Sequence, residues 1–262
     1  MTAYYNEIDP YAAQWLRNLI KAGHIAPGYV DERSIVDVKP EDLTEFTQCH
    51  FFAGIGVWSY ALRQAGWPDD KPVWTGSCPC QPFSAAGNQL GTADERHLAP
   101  VWLNLIREQK PAIIFGEQVA AAIGKHWLDD LFDELEKQEY ACGAAVLPAC
   151  SVGAPNIRER LFWMGYANNK GLQGYGQSEK LILSKGREIS GRHTLSTNVA
   201  AHIWAAWESD KGADERVRII PSSYGEASHG DTSVVGRLRA YGNAINAEAA
   251  KAFIESYMEA VA

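Results

Sequence analysis

Cysteine is scarce in this chain and comes in an odd number: Cys49, Cys78, Cys80, Cys142 and Cys150. The opening "MTAYYNEIDPYAAQWL" has none of the basic residues that begin a secretory leader. Together these exclude a disulfide framework and predict a cytoplasmic location. No His or Cys pair stands at ligand spacing from Cys78 and Cys80, so no metal is expected. No stretch approaches the ~18 consecutive apolar residues that a membrane-spanning helix needs, so no membrane association is expected. Positive charge is also short. A net charge of −8 excludes strong nonspecific attraction to polyanions. There is no internal repeat, and a monomer is expected.

What is present is an ordinary globular composition. With 46% apolar residues in 262, the chain can build one large domain, or one domain and a small lobe. Strand-like and helix-like segments alternate over the first two thirds. "AYYNEI" reads as a strand and "DPYAAQWLRNLIKAG" as a helix with an Asp-Pro start and a glycine stop. "TQCHFFAGIG", "KPVWTGS" and "PAIIFGEQV" read as strands; "VWSYALRQAGW", "LAPVWLNLIREQK" and "HWLDDLFDELEKQEY" read as helices. "ACGAAVLPA" and "RLFWMGYA" are further strands. This alternation predicts an α/β fold with a mostly parallel sheet covered on both faces. From Tyr166 the chain turns irregular, with one helix expected over "TLSTNVAAHIWAAWE". A closing helix is expected in "YGNAINAEAAKAFIESYMEAVA", capped by Asn243 or Asn246. The expected division is 1–165 as the main domain, 166–213 as a small lobe, and 214–262 as a return to the main domain.

Three stretches carry possible chemistry. "HFFAGIGVW", His50 to Trp58, is a strand, a Gly54-x-Gly56 turn and a helix start, where backbone can approach a nucleoside-type cofactor closely. "NEIDP" places Glu7 just past a strand, where a carboxylate can accept from two ribose hydroxyls, while Asp9 before Pro10 is the natural helix cap. "TGSCPCQPFSAAGN", Thr75 to Asn88, sets two thiols one residue apart on a proline-rich turn. A basic run lies farther on: Asn156 to Arg192 holds seven Lys or Arg against three Glu. Alone, that run reads as a solvated loop.

Pro79-Cys80-Gln81 with Phe83 and Ser84 resembles the catalytic loop of the DNA cytosine-5 methyltransferases. Other blocks resemble that family in turn: "FFAGIG", "DERHL" (Asp94–Leu98), "FGEQV" (Phe115–Val119), "GAPNIRERLF" (Gly153–Phe162) and "YGNAI" (Tyr241–Ile245). Their order and spacing together are far more specific than any one of them. The resemblance runs from Ala3 to Phe253, leaving out about 166–213. It implies a Rossmann-like S-adenosylmethionine-dependent methyltransferase fold with a small irregular target-recognition lobe, acting on C5 of cytosine in double-stranded DNA.

The chemistry explains why such residues are needed. C5 of cytosine is too weak a nucleophile to take a methyl group unless a thiolate first adds to C6. The Pro-Cys-Gln match selects Cys80 over Cys78 for that role. Charge then builds toward N3 and O2. Glu117, ending an apolar strand, is set to be raised toward protonation and to serve N3. Arg160 is assigned to O2, and Arg158 to orienting the loop or a phosphate. The resemblance implies S-adenosylmethionine as cofactor, with Phe52 on the adenine, Gly54 and Gly56 beneath the methionine part, and Glu7 on the ribose. Ile8, Ser34, Ile35, Pro79, Leu98, Asn243 and Ala244 complete the expected pocket. The target base must be extruded from the duplex, and the basic region after Arg160 stands where the family reads DNA.

Chain order departs from the family. The ribose carboxylate and the block "ERSIVDVKPEDL" (Glu32–Leu43) precede "FFAGIG" instead of following it. The same pocket is attainable if each crossover stays right-handed; it requires Glu7 to meet Gly54 and Gly56. His50, Ser34, Ile8, Gln118 and Asn156 also replace residues typical of the family. The alternatives are the same reaction on RNA, or a catalytically inactive DNA-binding relative. An amino-methyltransferase is disfavoured, since no Asp/Asn-Pro-Pro-aromatic loop is present.

Overall fold

A computed structural model describes residues 2–78, 98–125, 127–154, 156–167, 207–211, 217–221 and 244–261. Pro79, Cys80 and Asn243 lie outside the described residues, as does most of "DERHL". The chain divides into two compact units: Met1–Asn168 with Val235–Ala262, and Asn169–Val234.

Seven strands form the sheet of the first unit: β1 (Ala3–Asn6), β2 (Gly28–Asp31), β3 (Gln48–Phe51), β4 (Val73–Gly76), β5 (Ile113–Val119), β6 (Tyr140–Pro148) and β7 (Glu159–Ala167). Their spatial order is β2-β1-β3-β4-β5-β7-β6. The first five run parallel, and β7 is antiparallel to both β5 and β6. The five helices described are α1 (Pro10–Lys21), α2 (Val57–Gln64), α3 (Ala99–Gln109), α4 (Trp127–Glu136) and α5 (Ala247–Ala260).

Side-chain alternation along the strands divides the core between two faces. On one face Tyr4, Phe51, Trp74, Ile114 and Trp163 pack against Trp102, Leu105 and Ile106 of α3 and Leu131 and Leu135 of α4. On the other, Ala3 and Tyr5 meet Ala13 and Leu16 of α1. Val73, Phe115 and Phe162 on that second face meet Trp58 and Leu62 of α2 and Ile254 and Tyr257 of α5. Helix caps follow the sequence: Asp9 Oδ1 accepts from Tyr11 N at 2.8 Å and Ala12 N at 3.3 Å. Asn246 caps α5 by accepting from Ala249 N at 2.9 Å.

The connections do not all share one hand. From β1 through α1 to β2 the chain moves toward one sheet edge; from β3 through α2 to β4 it moves toward the other. Both helices pack on the same face, so these two crossovers have opposite hands, and uniform right-handedness fails at one of them. The cause is local. Ser59 of α2 hydrogen-bonds Tyr5 Oη at 2.9 Å and accepts from Ala26 N at 3.1 Å, which ties α2 to the face that α1 covers.

In the second unit, β8 (Trp207–Lys211) pairs antiparallel with β9 (Val217–Pro221). The helix expected over "TLSTNVAAHIWAAWE" is therefore corrected at its end, where Trp207 and Glu208 are in a strand; the rest lies outside the described residues.

Candidate active site

The parallel strands deliver their carboxyl ends to one edge of the sheet, where α/β folds commonly place ligands. At β1 that end is Glu7. One carboxylate oxygen accepts from Asp9 N at 2.9 Å and the other from Gly54 N at 2.7 Å. Ala53 N donates to Asn6 O at 3.0 Å, and Gly56 N to Ala53 O at 2.9 Å. The glycine turn after β3 is thus fastened to the end of β1, although the chain visits the two strands in inverted order. Burial raises the Glu7 pKa, against the lowering effect of the Asp9 and Gly54 amides.

The turn needs its glycines. Gly54 and Gly56 have φ of 54° and 80°, and a Cβ on Gly54 would meet no atom within 4 Å, so space stands open above it. Phe52, not a glycine, takes φ 50°, a conformation costing about 1–2 kcal/mol for an L residue. It is partly buried in the cluster that also holds Ile35 and Leu98, and its ring meets Trp102 edge-on at 6.4 Å. Ser34 caps the short turn Ile35–Asp37. Ile35 is only 3% exposed and offers almost no surface to a ligand. The apolar side chains that do open here are Ile8, 64% exposed, and Val36, 57% exposed; sequence reasoning missed Val36. Asp31 is held by Arg33 and by Tyr4 Oη at 2.7 Å, which fixes the turn that carries Val36.

His50, where the family has an acid, is buried and stacked on Tyr5, with Nδ1 2.8 Å from Thr75 Oγ1. Burial pushes its pKa down to about 3, so the ring is neutral.

The second half of the site lies where β4, β5 and β7 end or begin. Glu117, in β5, is 9% exposed, and Arg160 Nε stands 2.9 Å from its Oε1. The pairing of β5 with β7 sets Val119 opposite Arg160, which places Arg160 on the same sheet face as Glu117 and within its reach. Burial raises the Glu117 pKa, opposed by Arg160, a Ser77 hydrogen bond and Arg158. Arg158, at φ 27°, donates from Nη2 to Ala244 O at 2.8 Å, joining the segment before α5 to the start of β7. Burial and the neighbouring Arg160 lower the Arg158 pKa, against the influence of Glu117.

Of two further residues here, Ser77 was not singled out by sequence and Gln118 was noted only as a departure from the family pattern. Ser77 follows β4 directly and contacts Glu117. Gln118 donates from Nε2 to Cys78 O at 3.4 Å, steadying the chain two residues before Cys80. A hydroxyl between a strand end and the Pro-Cys-Gln turn was the available signal for Ser77. The four described cysteines are free thiols, Cys49 and Cys78 buried. Among the described residues no group of three or more His, Cys, Asp or Glu could hold a metal ion. No helix among them is long and apolar enough to cross a membrane.

The sheet, the carboxylate-tethered glycine turn and the acid–guanidinium pair define a doubly wound α/β protein that gathers carboxylates and a guanidinium at the carboxyl ends of its parallel strands. The C-5 cytosine-specific DNA methylase family matches residues 66–204, just over half of the chain, and the chain belongs to that family. The match begins after the segments whose order is inverted. Type II methyltransferase M.AplI of Arthrospira platensis is 36% identical over 96 residues, covering 36% of this chain and 28% of that protein. Type II methyltransferase M.HhaI of Haemophilus parahaemolyticus is 24% identical over 180 residues, covering 54% and 55%. The chain thus spans about half or less of the length of these relatives. A solved DNMT2 from Spodoptera frugiperda aligns over 68% of this chain and 45% of its own, with 16% identity and a TM-score of 0.46.

Proposed function

We propose that this chain is an S-adenosylmethionine-dependent methyltransferase acting on C5 of cytosine in double-stranded DNA. The observation that carries the reading is the pairing of buried Glu117 with half-buried Arg160 at 2.9 Å beside the end of β4, from which the chain leads through Cys78 to Cys80.

The residues around Glu7 suit the cofactor. A carboxylate with remaining lone pairs, open space above Gly54 and two exposed apolar side chains, Ile8 and Val36, match a ribose carrying a flat base. S-adenosylmethionine, when bound, supplies a methyl group on a sulfonium. The other steps belong to the chain. Glu7 binds and orients the ribose, and Phe52 and Leu98 close the pocket wall. Cys80, as thiolate, adds to C6 of the extruded cytosine. Glu117, its pKa raised by burial, places its proton at N3, and Arg160 balances charge at O2. C5 then takes the methyl group; a base from solvent removes the C5 proton, the C6–S bond breaks to return Cys80 as thiolate, and Glu117 takes its proton back from N3. Arg158 keeps the Ala244 segment against the site. Extrusion of the base costs about a few kcal/mol, and DNA contacts fall to the region Asn169–Val234.

The test is incubation with methyl-tritiated donor and duplex DNA, followed by sequencing that maps methylated cytosines. Label at C5 of cytosine within a short motif is expected. Label only in RNA, or none in either, defeats the proposal.

A further inference from the structure

We propose that Trp102 is a positioning residue that fixes the Phe52 ring, one wall of the donor pocket, before the donor arrives. The inference deepens the reading above and rests on it for its catalytic meaning. Phe52 follows β3 directly, and Trp102 belongs to the first turn of α3. The Trp102 ring meets that of Phe52 edge-on at 6.4 Å between centroids. Its backbone N–H donates to Leu98 O at 3.2 Å, so the second wall residue starts from the same anchor. Phe52 and Leu98 both pack against the buried cluster that holds Trp102, itself 1% exposed.

The seat of the indole is built into the sheet. Gly76 of β4 and Gly116 of β5 stand opposite each other. A Cβ on Gly76 would lie 2.5 Å from the Trp102 ring, so the ring rests on bare backbone. Trp163 abuts it at 5.6 Å and Phe51 at 6.2 Å, both fully buried. Close packing on these sides leaves Trp102 no room to follow a moving neighbour. Phe52 is differently placed. Backbone bonds made by Ala53 and Gly54 fix its main chain, but its ring is set by what it packs on. The one ring it meets among the described residues is Trp102. The Trp102 N–H is buried and finds no acceptor among the described residues. The side chain therefore acts by ring area and shape, at the cost of an unpaired donor. Without it, the Phe52 ring has to be ordered when the donor binds, a cost equivalent to about 2- to 10-fold in affinity.

The test uses the full chain carrying ¹³C-labelled phenylalanine rings; the Phe52 signals are those missing from Phe52→Leu. In the donor-free protein, Trp102→Leu should lower the order parameter of the Phe52 ring, read by ¹³C relaxation. Affinity for S-adenosylmethionine, read by calorimetry, should fall about 2- to 10-fold. The KM for the donor should rise to match, with kcat at saturating donor little changed. Replacing Trp102 by benzothienylalanine, which keeps the ring shape and removes the N–H, should leave every readout as in wild type. Ile106→Val, one turn along α3 in the same buried cluster, should lower the unfolding midpoint and move none of them. If the Phe52 ring keeps its wild-type order in Trp102→Leu, or Ile106→Val loses as much donor affinity, the proposal is overturned. A benzothienyl variant that behaves like Trp102→Leu overturns the assignment to ring shape. If Trp102→Leu does not fold, Trp102→Phe decides by the same readouts, with smaller losses. A wild-type chain that binds no donor would end the proposed function; ring order in the donor-free chain still decides whether Trp102 holds Phe52.

Discussion

Glu7 and Glu117 are both partly or wholly buried carboxylates toward the carboxyl ends of the parallel strands of one sheet, and burial raises both pKa values. Their partners differ in kind. Glu7 is satisfied by two backbone amides, which belong to the fold and cannot turn away. Glu117 is satisfied by a guanidinium and a hydroxyl, side-chain groups that respond to charge and to ligands. The first arrangement suits an acceptor whose geometry must not change. The second suits an acid that must exchange a proton beside a compensating cation. The same residue type thus stands in two kinds of surroundings.

Substitutions can break that contrast, beginning with the largest effect. Glu117→Gln should reduce kcat for methyl transfer by about 10²- to 10⁴-fold, the range for loss of a positioned acid. Donor affinity, read by calorimetry, should hardly change. Glu7→Gln should do the reverse. It should weaken donor binding about 10- to 100-fold, as expected for loss of hydrogen bonds to a charged group worth about 1.5–3 kcal/mol, with a smaller effect on kcat. Equal losses of kcat and affinity in both variants would erase the distinction.

A third substitution separates site from scaffold. A Cβ at Gly116 would lie 2.1 Å from the Trp163 indole, next to Glu117 in β5. Gly116→Ala should therefore destabilise the fold by about 1–3 kcal/mol, measured by denaturant unfolding, and lower activity only through lost folded protein.

The smallest effect is in thermal stability against pH. Because burial raises both glutamates, the folded chain keeps protons that the unfolded chain has released. Their unfavourable contribution is absent below the ordinary glutamate pKa and grows as pH rises through the folded value. Glu117→Gln should accordingly raise Tm at pH 8 by about 2–4 °C, the shift for roughly 1 kcal/mol in a chain of this size, and match wild type at pH 4. Glu7→Gln should gain less, because the amide loses one of the two backbone bonds.

The alternation of strands and helices was legible because hydrophobic period changes sharply between elements such as Ile113–Val119 and Trp127–Glu136. The Asp9 and Asn246 caps were legible for the same local reason. That Glu7 would meet Gly54 could be stated from sequence only as a requirement of the inverted order. Features depending on three dimensions were hidden. Ile35 and Val36 are neighbours of similar chemistry, and only the packing of the turn decides which is buried. Ser77 gains meaning from Trp58, 19 residues earlier, and from Glu117 on the next strand. The hand of the β3–α2–β4 crossover depends on which face α2 occupies, and α2 packs Trp58 and Leu62 against Phe115 and Phe162 and bonds Tyr5 through Ser59, contacts spread over distant parts of the chain. The strand at Trp207 was concealed by the alanine-rich helical pattern before it.

The most direct test of the whole account is a trap for the sulfur bond itself. Random-sequence duplex DNA carrying 5-fluorocytosine is incubated with the protein and S-adenosylmethionine, then denatured and resolved by mass. The account predicts a covalent protein–DNA species in wild type, with the attachment mapped to Cys80, and none in Cys80→Ala. A wild-type protein that never crosslinks, or a Cys80→Ala protein that crosslinks equally, would contradict it.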